Sequence, residues 1–235
     1  SVKFYFNNLQ KKLYMKNIVM LSLLLILISM TAVKKEKIVF FGDSITQAGI
    51  NKGGYIDRIQ TFINQRSLQE KYELAGAGIG GNKVYDLYLR LEDDVLAKDP
   101  QTVVIYVGIN DVWHKTSHGT GTDIDKYEKF YVAIIKKLQA KNIKVALCTP
   151  SVIGEKKNNV NPQDADLEKY SAVIRKLATT YNCKLIDLRA AFTQYEKENN
   201  PGDKESGVLT SDRVHLNEKG NQLVADEIIK VLGIQ

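Results

Sequence analysis

From residue 36 onward the chain alternates short apolar runs with longer stretches whose apolar positions recur every three or four residues. The short runs are Ile38–Phe41, Tyr72–Ala75, Thr102–Val107, Ile143–Thr149 and Lys184–Asp187, each bounded by turn-forming residues. Their length and their β-branched and aromatic content predict five strands. The helical spacing falls on Tyr55–Gln65, Val84–Lys98, Ile124–Ala140, Ala165–Tyr181 and Glu218–Leu232. In the third of these, Tyr127, Phe130, Ile134 and Leu138 mark a buried face. Lys126, Glu128, Lys129, Lys136, Lys137 and Lys141 fill most of the solvated remainder. Strands joined by helical crossovers predict a right-handed, doubly wound α/β domain around a parallel sheet. The chain has 235 residues and 44% apolar composition, enough for one substantial core, and contains no internal repeat, low-complexity tract or Pro/Gly/Ser linker.

The first 37 residues follow a different pattern. Lys11, Lys12 and Lys16 precede an apolar run from Ile18 to Met30, followed by the small residues Thr31 and Ala32 and then Lys34-Lys35. This is the pattern of an export signal, and its apolar run falls short of the about 20 residues of a membrane span. Met15 opens a conventional signal sequence. Residues 1–14 are therefore read as an upstream extension, 15–32 as a signal peptide or N-terminal anchor, and 36–235 as the folded domain. The expected location is outside the cytoplasm, secreted or periplasmic, with membrane attachment only through an uncleaved segment at residues 18–33. Without residues 1–32 the chain loses Lys3, Lys11, Lys12 and Lys16 and no acidic residue, so the formal charge falls from +6 to +2. A nearly balanced surface without basic clusters interleaved by aromatics gives no reason to expect a nucleic-acid partner. Cys148 ends one predicted strand and Cys183 begins the next, separated by roughly four or five residues at about 3.3 Å of rise each. That exceeds the reach of a disulfide and predicts two free, mostly buried thiols.

In an open parallel sheet, ligands gather beyond the carboxyl ends of the strands. Four segments there, or in the loops beside them, carry chemistry. The first strand runs into Gly42-Asp43-Ser44, which is either a helix cap or a nucleophile at the reactive edge. The second runs into the glycine-dense stretch Gly76-Ala77-Gly78-Ile79-Gly80-Gly81-Asn82. A dinucleotide site is disfavoured, because the first strand is already used by Ser44 and no acidic residue closes a downstream strand where the ribose contact belongs. Bare backbone there suits an N–H aimed at a developing oxyanion. The third strand ends in Gly108-Ile109-Asn110-Asp111, where the Asn110 amide is a neutral donor for the same charge. Asp212-Arg213-Val214-His215 places a carboxylate three residues before a histidine, close enough to hold Nδ1–H and leave Nε2 facing a serine. His114 and His118 stand four apart, but no nearby third ligand or H-E-x-x-H pattern supports a metal.

Gly42-Asp43-Ser44-Ile45, Ile79-Gly80-Gly81-Asn82, Gly108-Ile109-Asn110-Asp111 and Asp212-Arg213-Val214-His215 resemble, in order and spacing, the four blocks of the SGNH hydrolases, also called GDSL esterases and lipases. The resemblance spans about residues 36–233. It departs from the family pattern at Ile45, where leucine is usual, and at Gly76, where relatives often carry asparagine. It implies a three-layer α/β/α sandwich with a five-stranded parallel sheet, flavodoxin-like, and a serine esterase needing neither metal nor cofactor. Ser44 would be the nucleophile, His215 the base and Asp212 its orienter. The Ser44 and Gly81 N–H groups and the Asn110 side chain would form the oxyanion hole, with Asp43 and Asp111 structural. The absence of a G-x-S-x-G elbow argues against the α/β-hydrolase version of the same triad. The loops expected to flank the serine are 113–123 and 152–166. Polar walls and the lone Trp113 favour a substrate-binding contact with a sugar ring, hence a glycan or small-molecule ester and an O-acetyl group on a carbohydrate. The alternatives are a lysophospholipase or acyl thioesterase of the same family and, from another class, a non-catalytic carbohydrate-binding module.

Overall fold

The computed structural model describes residues 11–20, which are helical, and residues 34–235. The chain divides into one unit of residues 1–34 and another of 35–235. Most of the apolar run behind the export-signal reading lies outside the described residues. Among the described residues, no helix is long and apolar enough to cross a membrane.

In the second unit the apolar runs become strands β1 (Glu36–Gly42), β2 (Tyr72–Gly78), β3 (Thr102–Tyr106), β4 (Lys144–Cys148) and β5 (Lys184–Ile186). They form one parallel sheet in the order β2-β1-β3-β4-β5. The middle strands are buried on both faces, which is why Ile38–Phe41 and Thr102–Tyr106 read as unbroken apolar runs. The connecting helices are α1 (Ser44–Gly49), α2 (Tyr55–Gln65), α3 (Val84–Asp94), α4 (Ile109–Ser117), α5 (Ile124–Gln139), α6 (Asp164–Thr180), α7 (Leu188–Asn199) and α8 (Glu218–Leu232). Helices α2 and α8 pack together in one layer, and α3, α5 and α6 pack in succession in the other. This is the expected three-layer sandwich. The strand order reverses between β1 and β3, so the crevice at their carboxyl ends is where such folds bind ligands.

Several boundaries differ from the sequence expectation. Gly76-Ala77-Gly78 does not form a turn; it continues β2, paired with Phe40, Phe41 and Gly42. The reason is the close approach of α1: a Cβ on Gly78 would stand 2.1 Å from the Gln47 backbone nitrogen, and one on Gly76 would stand 2.4 Å from Ile50 Cγ2. The predicted helix over 84–98 breaks after Asp94 into a short 3₁₀ turn, ended by left-handed Asp99 just before Pro100. Three helices are additions to the five expected spans: α1, anticipated only by the cap reading of Gly42-Asp43-Ser44, and α4 and α7. Helix α4 occupies the start of the expected 113–123 loop, and α7 begins where Asp187, expected as a strand end, accepts the Ala190 N–H. On α5, Tyr131 takes the place expected for Phe130 on the buried face, and its hydroxyl donates to the Val107 carbonyl at 3.0 Å. Phe130 is half-buried and lies against the rings of Tyr85 and Tyr88.

Register pairs Ala146 with Lys184, so Cys183 sits three residues from the level of Cys148, about 10 Å at 3.3 Å per residue. Both cysteines are free, Cys148 buried and Cys183 half-buried. Burial pushes the Cys183 thiol up to about 11 and the Cys148 thiol higher still, so neither is a poised thiolate.

Overpacking of a tight backbone contact costs about 1–3 kcal/mol. Gly78→Ala is therefore expected to lower the melting temperature by several degrees and to depress activity, because the clash falls on the helix that carries Ser44. Gly202→Ala is the control, since a Cβ there meets only Lys204 Cγ at 3.9 Å, and it should melt with the parent protein.

Candidate active site

Ser44 is the first residue of α1, immediately beyond β1. Asp43 caps that helix through its side chain, which accepts the Ile45 N–H at 3.0 Å. The cap reading and the nucleophile reading are therefore both satisfied, by adjacent residues. At the first position of the helix the Ser44 N–H has no intrahelical acceptor, which leaves it available to a ligand. Its hydroxyl lies 3.1 Å from His215 Nε2.

His215 belongs to an excursion between α7 and α8. Ser211 N–H donates to the His215 carbonyl and Asn217 N–H to the Leu209 carbonyl, pinching residues 209–217 into a narrow loop with a Thr210–Leu216 bridge. Within it Asp212 Oδ2 meets His215 Nδ1 at 2.7 Å, while Oδ1 accepts the N–H groups of Val214 and His215 at 3.1 and 2.8 Å. The three-residue spacing works because Arg213 adopts a positive φ of 85°, folding the carboxylate back onto the ring. Burial pushes the Asp212 carboxyl up, but the bonds from the His215 ring and from the two backbone amides outweigh it and hold the group below the usual carboxylate range. An ionised carboxylate beside the imidazole follows.

The loop is anchored by Glu155, a fully buried residue whose carboxylate accepts the N–H groups of Val208, Leu209 and Thr210 at 2.8, 2.6 and 2.5 Å. Sequence reading placed Glu155 in a polar wall beside the substrate. Val152 to Glu155 are instead buried, and this part of the expected 152–166 wall supports the histidine loop.

The glycine turn lies over the serine: a Cβ on Gly80 would stand 3.9 Å from Ser44 Cβ, and Gly80 N–H donates to Gln47 Oε1 at 2.9 Å. Gly81 has φ +75°, a conformation L side chains rarely adopt. Asn110 is buried in the first turn of α4, with one amide hydrogen on the Asn82 carbonyl at 3.1 Å. An Asn amide carries two donors, so the second remains for a ligand. Asp111 accepts the Val84 N–H at 3.2 Å and so ties the Asn110 loop to the start of α3. Burial pushes Asp43 and Asp111 each up to about 7, opposed in Asp43 by the Ile45 N–H and in Asp111 by the Val84 N–H. Asp43 thus bonds within its own turn, as expected, whereas Asp111 reaches an N–H 27 residues away instead of one in its own loop.

Trp113 is half-buried, packed against the core and 5.8 Å from the His114 ring, so only part of it faces outward. The His114 ring approaches Gly81, with its Cε1 at 4.0 Å from a Cβ placed there, and the His118 ring lies 4.4 Å from it. Burial lowers the His114 pKa, helped by the positive charges of Lys83 and His118. Among the described residues no three His, Cys, Asp or Glu side chains group as metal ligands. Sequence reading missed Arg90, Gln47 and Glu155. Arg90 reads as the partner of Asp94 one turn on, and nothing in the pattern marks the other two.

An oriented imidazole on a serine hydroxyl, beside backbone and amide donors, can carry out acyl transfer. The GDSL-like Lipase/Acylhydrolase family model matches residues 40–223, and the chain belongs to that family. It is an ester hydrolase. A solved structure described as the acetyl xylan esterase AlAXEase is 61% identical, with a TM-score of 0.82, covering 83% of this chain and 98% of its own. The acetylxylan esterase of Geobacillus stearothermophilus is 28% identical over 85% of this chain and 95% of its own length. LAE5, an alpha/beta hydrolase enzyme from the metagenome of Lake Arreo, Spain, is 28% identical over 84% of this chain and 95% of its own, with a TM-score of 0.75. An uncharacterized lipoprotein of Bacillus subtilis, YqeF, is 25% identical over 82% of this chain and 88% of its own.

Behind Glu155, Glu196 of α7 is buried with its Oε1 unpartnered, and burial followed by the charge of Glu155 pushes its pKa up to about 8. The folded state therefore holds a proton that the unfolded chain releases near 4.5, so stability falls as pH rises between about 4.5 and 8. Glu196→Gln should melt close to the parent at pH 5 and several degrees above it at pH 9, as read by calorimetry at both pH values.

Proposed function

We propose that this protein is an exported carbohydrate O-acetyl esterase working through an acyl-enzyme on Ser44. The observation that carries the reading is the hydrogen-bonded relay from Ser44 Oγ to His215 Nε2 at 3.1 Å and from His215 Nδ1 to Asp212 at 2.7 Å. Ser44 Oγ attacks the acetyl carbonyl as His215 Nε2 takes its proton, and Asp212 stabilises the imidazolium that results. The carbonyl π electrons move onto oxygen, where the N–H groups of Ser44 and Gly81 and the free donor of Asn110 receive them. Collapse breaks the ester C–O bond, and His215 returns the proton to the departing sugar hydroxyl. Water, deprotonated by the same imidazole, then releases acetate and restores Ser44.

The substrate class is supported by the AlAXEase and Geobacillus relatives, both acetylxylan esterases. The use of serine and histidine is supported by two further Geobacillus structures described as catalytic mutants, one replacing a serine and one a histidine. Export is supported by the basic-then-apolar pattern before residue 33 and by the lipoprotein relative.

Ser44→Ala should release no acetate above background from acetylated xylo-oligosaccharides while melting like the parent. Asn110→Ala should lose about 10²–10³ in kcat through one missing oxyanion donor. Parental turnover by that variant would remove Asn110 from the hole. On p-nitrophenyl esters of two to twelve carbons the rate should be highest at acetate, and a maximum at eight carbons or more would point instead to a lipid or long-chain thioester substrate.

A further inference from the structure

Arg90 stands on α3 one turn before its end, with its side chain 14% exposed and its guanidinium 4.6 Å from the centre of the Phe41 ring. Its donors fan out to four acceptors. Nη2 donates to the carbonyls of Gly42 at 2.8 Å and Ala77 at 3.0 Å, Nε to Asn82 Oδ1 at 2.7 Å, and Nη1 to Asp94 at 2.6 Å. Three of these acceptors lead to the three donors assigned to the oxyanion hole. Gly42 ends β1 two residues before Ser44, and its carbonyl also accepts the Ile79 N–H at 3.2 Å. Ala77 lies near the end of β2, four residues before Gly81. Asn82 follows Gly81, and its carbonyl accepts the Asn110 side chain at 3.1 Å.

We infer that Arg90 is a positioning residue for this oxyanion hole, setting the spacing of the Ser44 N–H, the Gly81 N–H and the Asn110 amide through Gly42, Ala77 and Asn82. The inference rests on the proposed esterase mechanism. A surface ion pair with Asp94 would need only one nitrogen, whereas here the planar fork spans two strand ends and a loop at once. Arg supplies five donors in fixed geometry and Lys supplies three on one compact nitrogen, so the substitution cannot reproduce the span. Oxyanion donors act by preorganisation, and a site roughly 1 Å too loose loses much of its effect. The charge itself is neutralised by Asp94, so the contribution is geometric.

Arg90→Met keeps the apolar stem over Phe41 and removes every donor. With p-nitrophenyl acetate, at a temperature where circular dichroism shows the variants folded, its kcat should fall about 10²-fold with KM within threefold of the parent. Arg90→Lys should recover no more than a tenth of the parental kcat. Asn82→Ala, which removes only a side-chain acceptor, should lose about fivefold in kcat alone and serves where Arg90→Met fails to fold. Because Arg90 acts partly through Asn110, Arg90→Met should cost at least fivefold less in an Asn110→Ala background than in the parent. A folded Arg90→Met or Arg90→Lys at parental kcat, an Asn82→Ala at parental kcat, a loss confined to KM, or full multiplication of the two single effects would each overturn the assignment. Parental turnover by Asn110→Ala alone would instead overturn the oxyanion reading beneath it.

Discussion

The site depends on one steric constraint: helix α1 must lie almost against the backbone of β2 and the end of β1. Gly78 meets it where a Cβ would overlap the Gln47 nitrogen, and Gly42 meets it where a Cβ would stand 2.3 Å from both Thr46 Oγ1 and the Tyr106 carbonyl. Only a chain without side chains at these positions can bring the first turn of a helix into the crevice beside the strand-order reversal. Ser44 then needs no strained elbow to reach the sheet edge, since the helix start itself is lowered into place. The same proximity brings Gln47 within reach of the Gly80 N–H, so the helix that presents the serine also holds the loop lying over it.

Around that contact the loops are held mainly by buried carboxylates acting as acceptors for backbone amides. Asp43 holds the Ile45 N–H, Asp111 the Val84 N–H and Glu155 three successive amides of the histidine loop. Each bond satisfies a backbone donor that the surrounding irregular chain would otherwise leave unpaired in the interior. The same arrangement is costly to the carboxylates: Asp43 and Asp111 are pushed up to about 7 by burial. Asp212 is the contrasting case, partly exposed and held below its usual range by three bonds, so charge is kept beside the His215 ring.

The strands and the Asp212–His215 pair were legible in the sequence because each is encoded locally, whereas Ser44, 171 residues from His215, was joined to that pair through the resemblance of the four blocks. Strand patterns depend on neighbouring residues, and the Asp212–His215 spacing closes within a single turn. Three kinds of feature were not legible. The glycine stretch after Ala75 has turn composition, and only the distant backbone of α1 explains why it remains in the sheet. Glu155 sits in a polar run that reads as solvated, although its partners are fifty-odd residues away. Arg90 pairs with Asp94 on its own helix, which conceals its bonds to Gly42 and Ala77.

These hidden residues share a property that accounts for their invisibility. Glu155 acts on main-chain amides and Arg90 on two main-chain carbonyls, and main-chain atoms carry no sequence signature of their own. A pattern search detects the side chains that meet substrate, since their chemistry restricts the residue type. It misses those that hold carbonyls and amides in register, because any segment can supply the partner. In this fold the loops around Ser44 and His215 are therefore tied down by residues whose partners the sequence pattern does not show. The most informative positions for the geometry of the site lie one hydrogen bond behind the motifs that announce it.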